Sequence, residues 1–520
     1  MQLLEVMQVS RSKGGAPPIV YILGALAVGI GGWQLKDTVF SSSDQSLPFV
    51  GGKTDELIIL GDTFSGYSTF RSTEFNEELE QAGLSIKFEN EFDQAERAAR
   101  LEKGKADLIV TTLDQYLKHD PEGQIVGLID RTVGADAIVL NTPKYANLKS
   151  LNDLSQLVAQ GQPLSLAYAA DTPSEYLAQV LDIRFDGFNL SDFNQLKVAE
   201  ASEAWQALQD PSQNIAVAVL WEPFVSQAQE QGHTVVLSSN DAPNAIVDVI
   251  VASDDLIQKD GEQLTVFLST YYRRMDQAAR DNSQLKTLIQ TDGNLTAPQA
   301  DTVLGGIDFF TSVEAGRWMR DGTLEKRIDA TAAILVLSGQ MSQVPDAKEE
   351  YSDQFIAEAV ANTQALIQLV QADDPELAKF LTGEANVAQP QAQLAAADIQ
   401  SAQSIGNLQV RGEVKFGTGS AEIATEGQQT LTKLAAEINE FNTETIAIRV
   451  IGHTSKTGSA DLNQRLSQQR AESVVQYLKG QSVNHNIVAE GKGFSEPLAD
   501  IPANDAKNQR TEIRLVRINQ

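Results

Sequence analysis

Hydroxyl-bearing and glycine residues gather just after the apolar runs of this chain. Ser65-Gly66-Tyr67-Ser68 follows the run 57–60, Thr111-Thr112 follows 108–110, and Asp171-Thr172-Pro173-Ser174 follows 164–168. If those runs are strands, their carboxyl ends and the helix N-termini beyond them offer hydroxyls and free backbone N–H groups. Such groups suit a small oxyanion: phosphate, nitrate, bicarbonate or a sulfonate. Ser65, Gly66, Tyr67, Ser68, Thr111 and Thr112 are the candidate contacts on one wall, and Thr172 and Ser174 on the facing one. Asp171 counts against an anion unless it caps a helix and points away. Ser, Gly and Thr are equally ordinary turn and cap residues, so the pattern carries either meaning. Trp221 and Glu222 either close the same cleft or belong to the core, with Pro223 at the first position of a helix.

A second candidate is Arg470. Leu466, Ala471, Val474, Val475 and Leu478 fall near one helical face, which a domain would bury against its sheet. Asp461 is the expected N-cap, with Gln464 three residues on. Arg470 interrupts apolar neighbours at a position where a purely structural helix would accept almost any residue.

Catalytic signatures are missing, and no enzyme activity or cofactor is expected. The four histidines, His119, His233, His453 and His485, have no metal-ligand spacing. There is no Gly-x-Ser-x-Gly elbow and no phosphate-loop Gly-Lys-Ser/Thr. Acidic pairs such as Asp254-Asp255 read as solvated surface, and Thr291-Asp292-Gly293-Asn294 reads as a turn. Cysteine is absent, which excludes disulfides, thiolate nucleophiles, Cys-ligated metals and a cysteine-borne lipid. With 70 acidic and 40 basic side chains, the net charge of −30 argues against nucleic acid or an anionic lipid surface as a broad-face partner.

The elements that must position these residues span several domains, as 520 residues allow. Residues 14–35 carry no charge, and 17–35 is long enough to cross a bilayer as a helix, with Tyr21 and Trp33 at the interfaces. A retained inner-membrane anchor is expected, single-pass, with the bulk of the chain in the periplasm; cleavage near Ala27-Val28-Gly29 is the rival. The expected division is a cytoplasmic tail and anchor at 1–36, a flexible Ser-rich tether at 37–55, an α/β region at 56–365, an Ala/Gln-rich connector at 366–404 and a last domain at 405–520. Within 56–365, strands at 57–60, 84–88 and 108–110 alternate with helices at 72–81 and 94–103, which implies a parallel sheet. Strands at 137–140, 164–168, 198–199 and 215–220 form a second lobe. In the last domain the first strand is expected at 414–416 and the first helix at 426–438.

Two resemblances sharpen this outline. The stretch Gly452-His453-Thr454 with Asn463-x-x-Leu466-Ser467-x-x-Arg470-Ala471 closely resembles the OmpA-like peptidoglycan-binding family, a likeness that runs over 410–516. It implies an α+β fold and a tie to the cell wall. In that family the residue matching Arg470 pairs with a carboxylate of diaminopimelate in the stem peptide, a task for a planar guanidinium. Asn463, Thr454 and Arg510 match the same site. The family's aspartate for the ammonium of diaminopimelate is Ser455 here, and Asn508-Gln509-Arg510 replaces its Asn-Arg-Arg. Gly61-x-x-x-Ser65-Gly66-Tyr67, Ser150-Leu151-x-Asp153-Leu154, Asp171-Thr172-Pro173-Ser174 and Ala218-Val219-Leu220-Trp221-Glu222-Pro223 resemble periplasmic solute-binding proteins of nitrate, taurine and alkylsulfonate transporters. That likeness covers 56–361 and implies two lobes, a small anionic solute, and an ABC transporter or envelope protein as partner. A structural scaffold with an empty cleft is the alternative. A stator-like motor subunit is disfavoured because the apolar run lacks an ionisable residue.

Overall fold

The computed structural model describes residues 56–383, 393–411, 414–417 and 419–518. The expected anchor at 17–35 and the tether lie outside the described residues. No helix among the described residues is long and apolar enough to cross a membrane.

Fifteen strands are described: β1 (Glu56–Gly61), β2 (Ser85–Asn90), β3 (Leu108–Thr112), β4 (Gly123–Thr132), β5 (Asp136–Leu140), β6 (Leu164–Ala169), β7 (Phe193–Val198), β8 (Ile215–Trp221), β9 (Thr234–Ser238), β10 (Val247–Ser253), β11 (Ile307–Phe309), β12 (Gln403–Asn407), β13 (Ile446–Gly452), β14 (Asn486–Gly491) and β15 (Thr511–Arg517). They form three sheets, ordered β11-β4-β10-β3-β1-β2, β7-β6-β8-β5-β9 and β12-β15-β13-β14. β1 pairs in parallel with β2 and β3, and β6 with β7 and β8. The chain passes from the first sheet to the second between β4 and β5 and returns between β9 and β10. These two crossings define two α/β lobes.

Local sequence explains where the helices begin. Ser72 accepts from the Phe75 N–H and opens Thr73–Gln81; Asp93 and Ser150 do the same for Gln94–Glu102 and Leu151–Ala159. Helices 72–81 and 94–103 are therefore found close to where the pattern placed them. The strand expected at 198–199 instead occupies Phe193–Val198, since Asn194, Lys197 and their polar neighbours face outward from an edge strand. The last domain's sheet starts at β12, ahead of 414–416, where only an isolated bridge between Phe416 and Ile423 forms. Its first helix is Thr425–Ile438.

The first lobe is centred on an aromatic stack of Phe70, Phe75, Phe267 and Tyr271. The second lobe shares one apolar cluster with the C-terminal domain, including Leu151, Phe185, Leu408, Phe441 and Leu515. Backbone bonds seal the seam: Asp186 N–H donates to the Asn407 carbonyl at 2.8 Å, and Gln409 N–H to that of Arg184 at 2.8 Å. Arg517 is ion-paired with the buried Asp241, whose carbonyl accepts from Asn442 N–H at 2.8 Å. Each large apolar side chain buried at such a seam is worth about 1.5–3 kcal/mol. The C-terminal domain is therefore docked on the second lobe.

Candidate functional site

Two places in the fold bring chemistry together. The first lies where helix Ala460–Gly480 crosses β13 and β14. A Cβ on Gly452 would stand 2.3 Å from the Ser467 carbonyl oxygen, so this glycine is what lets helix and strand touch. The helix opens at Ser459, which accepts from Leu462 N–H, and not at Asp461. Asp461 instead lies in the first turn, where its charge complements the helix dipole. Asn463 Nδ2 donates to the carbonyls of Thr457 and Ser459 at 2.8 and 3.1 Å, fixing the loop that carries Thr454 and Ser455. Thr454 N–H is held by the Gly493 carbonyl at 2.7 Å.

Arg470 points into this pocket at 6% exposure. Its Nε donates to the Ser420 carbonyl at 3.1 Å, its Nη1 to Gln509 Oε1 at 3.3 Å, and its guanidinium lies 4.9 Å from the Phe416 ring centre. No carboxylate reaches it within 4 Å among the described residues. Burial lowers its pKa, the signature of a cation that has lost water without gaining a counter-charge. Gln509 Nε2 also donates to Ser455 Oγ at 3.3 Å, and Ser455 lies 3.1 Å from Thr457 Oγ1. Gln509 thus joins Ser455 to Arg470, a role missed in the sequence although the replaced middle residue of Asn508-Gln509-Arg510 was its signal. Arg510 turns elsewhere: it pairs with Glu512 at 2.7 Å and donates to the Glu496 carbonyl at 3.2 Å. Burial opposes ionisation of Glu512, but His453 at 3.3 Å and Arg510 hold its pKa down to about 2.

The second place lies between the lobes. Ser65-Gly66-Tyr67 forms a short 3-10 turn after β1. Most of the hydroxyls expected to meet a solute are engaged internally. Ser68 Oγ donates to Asp292 at 2.7 Å, Thr111 Oγ1 donates to Gln94 at 3.0 Å, and Thr172 Oγ1 caps helix Pro173–Arg184. Asp292, in the stretch read as a turn, ends helix Ser283–Asp292 and also grips Arg71. Glu222 accepts from Ser226 N–H and Oγ at 3.2 and 2.8 Å and so caps helix Phe224–Glu230, which Pro223 immediately precedes. Trp221 ends β8 half-buried. The Ser174 hydroxyl and Thr112 side chain are buried beside this region. Asp171 sits in left-handed backbone, with φ 52°, and pairs across the lobes with Lys118.

Carboxylates dominate what remains. Asp130 of β4 and Asp248 of β10 are cross-strand partners. Tyr67 hydroxyl donates to Asp248, and a Cβ on Gly66 would come within 2.3 Å of Asp130 Oδ2. Burial first, and then nearby carboxylates, push both pKa values well above the usual range. Asp136 is pushed up to about 7 by burial, with Asp114 and Glu222 adding to it. The nearest cations are committed: Arg97 to Asp62 at 2.9 Å, and Arg131 to Asp308 and Glu314. Tyr67, expected to contact a solute, is thus bonded to one of these carboxyls. The sequence signal was available, because an aspartate inside Val247-Asp248-Val249-Ile250-Val251 is out of place in a buried strand.

Residues 415–511 match the OmpA family. Over 111 residues the chain is 40% identical to a probable lipoprotein, YiaD, of Escherichia coli (strain K12), covering 21% of this chain and 50% of that protein. Over 101 residues it is 35% identical to outer membrane protein A of Shimwellia blattae, covering 19% of this chain and 42% of that protein. The chain thus spans half or less of the length of these curated relatives, and the likeness is confined to the C-terminal domain. The two-lobed region is similar in fold to the periplasmic aliphatic sulphonate binding protein SsuA from Escherichia coli, at TM-score 0.45 and 16% identity, covering 58% of this chain and 99% of that one. It is likewise similar to the periplasmic nitrate-binding protein NrtA from Synechocystis PCC 6803, at TM-score 0.47 and 12% identity, covering 62% and 91%. The chain is thus a two-lobed α/β unit carrying an OmpA-family domain at 415–511.

Proposed function

We propose that the protein is a non-catalytic envelope receptor that grips peptidoglycan through its C-terminal domain and presents its two lobes to a solute in the periplasm. The observation that carries the first half is Arg470: a buried guanidinium without a carboxylate partner is a preformed site for a ligand carboxylate. The stem-peptide diaminopimelate supplies one, and the family match over 415–511 supports it. Ser455, Thr454, Asn463 and Gln509 would line the rest of that pocket, with Arg510 positioning Glu512 instead of touching the wall. The uncharged run at 14–35 supports an inner-membrane anchor. An ABC transporter or another envelope protein would then be the partner of the lobes.

Docking of the wall domain on the second lobe favours a receptor held in place over one that diffuses to its partner. Sedimentation of the full chain with isolated diaminopimelate-type peptidoglycan tests this reading. Pelleting that Arg470→Ala abolishes is expected. Equal pelleting of parent and variant, or none by the parent, would overturn it.

A scaffold with an unoccupied cleft is the second reading. The internal engagement of Ser68, Thr111 and Thr172 favours it.

A further inference from the structure

We propose that the C-terminal domain is a clamp: it grips both lobes at one junction and holds them against each other. This goes beyond the wall-binding reading and does not depend on it, since neither peptidoglycan nor a solute enters the argument.

The lobes are joined covalently by the crossings between β4 and β5 and between β9 and β10, so contacts elsewhere decide whether they part. Helix Thr323–Leu337 of the first lobe lies against helix Leu113–His119 of the same lobe and against helix Pro173–Arg184 of the second. Tyr176 and Val180 of this last helix are 3% and 4% exposed and share one apolar cluster with Leu117, Ile328 and Leu335. Polar contacts frame that cluster. Ser338 Oγ donates to Gln179 Oε1 at 3.3 Å, and Lys118 pairs with Asp171 and, at 3.6 Å, with Glu175.

The C-terminal domain closes on both helices. Arg327 is 8% exposed, and Glu440 is its one carboxylate partner among the described residues, at 2.5 Å. Its Nε is buried without a hydrogen-bond partner. Without Glu440 the guanidinium is an uncompensated charge inside the fold, which water can reach only if the helix swings outward. On the second lobe, Arg411 donates to the Ile183 carbonyl at 2.9 Å, and Phe185 packs edge to face on Phe441 with ring centres 6.1 Å apart.

Glu440 and Phe441 are neighbours in the chain, so one short stretch holds the first lobe by an ion pair and the second by a ring. That stretch is itself fixed. It follows helix Thr425–Ile438, the Phe441 N–H donates to the Ile438 carbonyl at 3.0 Å, and the Phe441 carbonyl lies 3.0 Å from Nε2 of the buried His485. The lobes can move apart only when one of the two holds is released.

The chain has no cysteine, so spin labels at Glu102→Cys on the first lobe and Gln160→Cys on the second would occupy its only thiols. Pulsed electron paramagnetic resonance of the full chain should give one narrow distance for the otherwise unchanged protein. Glu440→Ala should add a second population at a different distance, and amides of 173–184 should exchange about tenfold faster. Glu440→Gln, which removes the charge but keeps the bulk, serves as the second variant should Glu440→Ala not fold. Lys118→Ala removes a pair between the lobes outside the clamp and should loosen them less. A folded Glu440 variant with the parent's distances and exchange would overturn the proposal. So would Lys118→Ala loosening the lobes as much as Glu440→Ala, because closure would then belong to the lobes themselves. Wall binding is read separately by sedimentation and stands or falls apart from either result.

Discussion

Arg470 and Asp130 are both buried ionisable side chains without a counter-charge, yet they occupy opposite kinds of surroundings. Arg470 shares its pocket with Ser455, Thr457 and Gln509, neutral groups that hydrogen-bond to it directly or through one another. Asp130 shares its own with Asp248 and feels Asp308, while Asp248 feels Asp130, Asp62 and Asp114, so burial and neighbouring carboxylates together disfavour the charged forms. The first arrangement leaves one strong charge free for a ligand at modest cost. The second stores repulsion at the hinge between two lobes. One chain therefore holds a buried cation without a counter-charge among neutral partners, and a pair of buried carboxyls whose stability depends on protons.

Acid titration should separate the two most strongly. Asp136, raised to about 7 in the fold from its ordinary value of 3.8, binds a proton in the folded state that the unfolded chain releases. Its contribution is complete at low pH and is lost as the pH rises from about 4 to about 7, by up to roughly 4 kcal/mol. Asp136→Asn should flatten that slope in urea unfolding followed from pH 4 to 8. Glu512 has the opposite sign: held down to about 2, it stabilises above its unfolded value and loses that contribution as the pH falls toward 2. Unfolding observed domain by domain through hydrogen exchange should show the lobes strengthening and the C-terminal domain weakening as acid is added.

The seam between the regions comes next in size. Arg517→Ala leaves Asp241 buried and unpaired, at a cost of about 3 kcal/mol. Limited proteolysis should then release the C-terminal domain from the lobes. Retention of the parent digestion pattern would show that the apolar cluster alone maintains the docking.

Arg470→Ala should reduce wall affinity by roughly a hundredfold, close to 3 kcal/mol, with little effect on the thermal midpoint. Removing an unpaired buried cation costs the fold little, which distinguishes Arg470 from Arg517. Ser455→Asp is the smallest change. A carboxylate there would meet the ammonium of diaminopimelate and strengthen wall binding by about tenfold, measurable by the same sedimentation. No gain would mean that Gln509 holds position 455 out of reach of the ligand.

Sequence alone determined much of this protein. The alternation of apolar runs and helical faces identified the two α/β lobes, because period and cap residues are local properties: Ser72, Asp93 and Ser150 open the helices they precede. Its place among apolar neighbours on one helix singled out Arg470, while the resemblance to the OmpA-like family pointed to Asn463 and the loop at 453–455. Tertiary structure decided which way the side chains turn. Thr111 was as good a cleft hydroxyl as any until Gln94 was placed beside it, and Arg510 was as good a wall contact as Arg470 until Glu512 claimed it. The N-cap moved from Asp461 to Ser459 because the close approach at Gly452 and the bonds from Asn463 set where the loop ends. Asp130 and Asp248 stand 118 positions apart in the chain and become neighbours only when β4 and β10 pair. Charge pairing acts through space over a few ångströms, so the meeting of these two carboxyls was decided by strand order and not by any stretch of sequence.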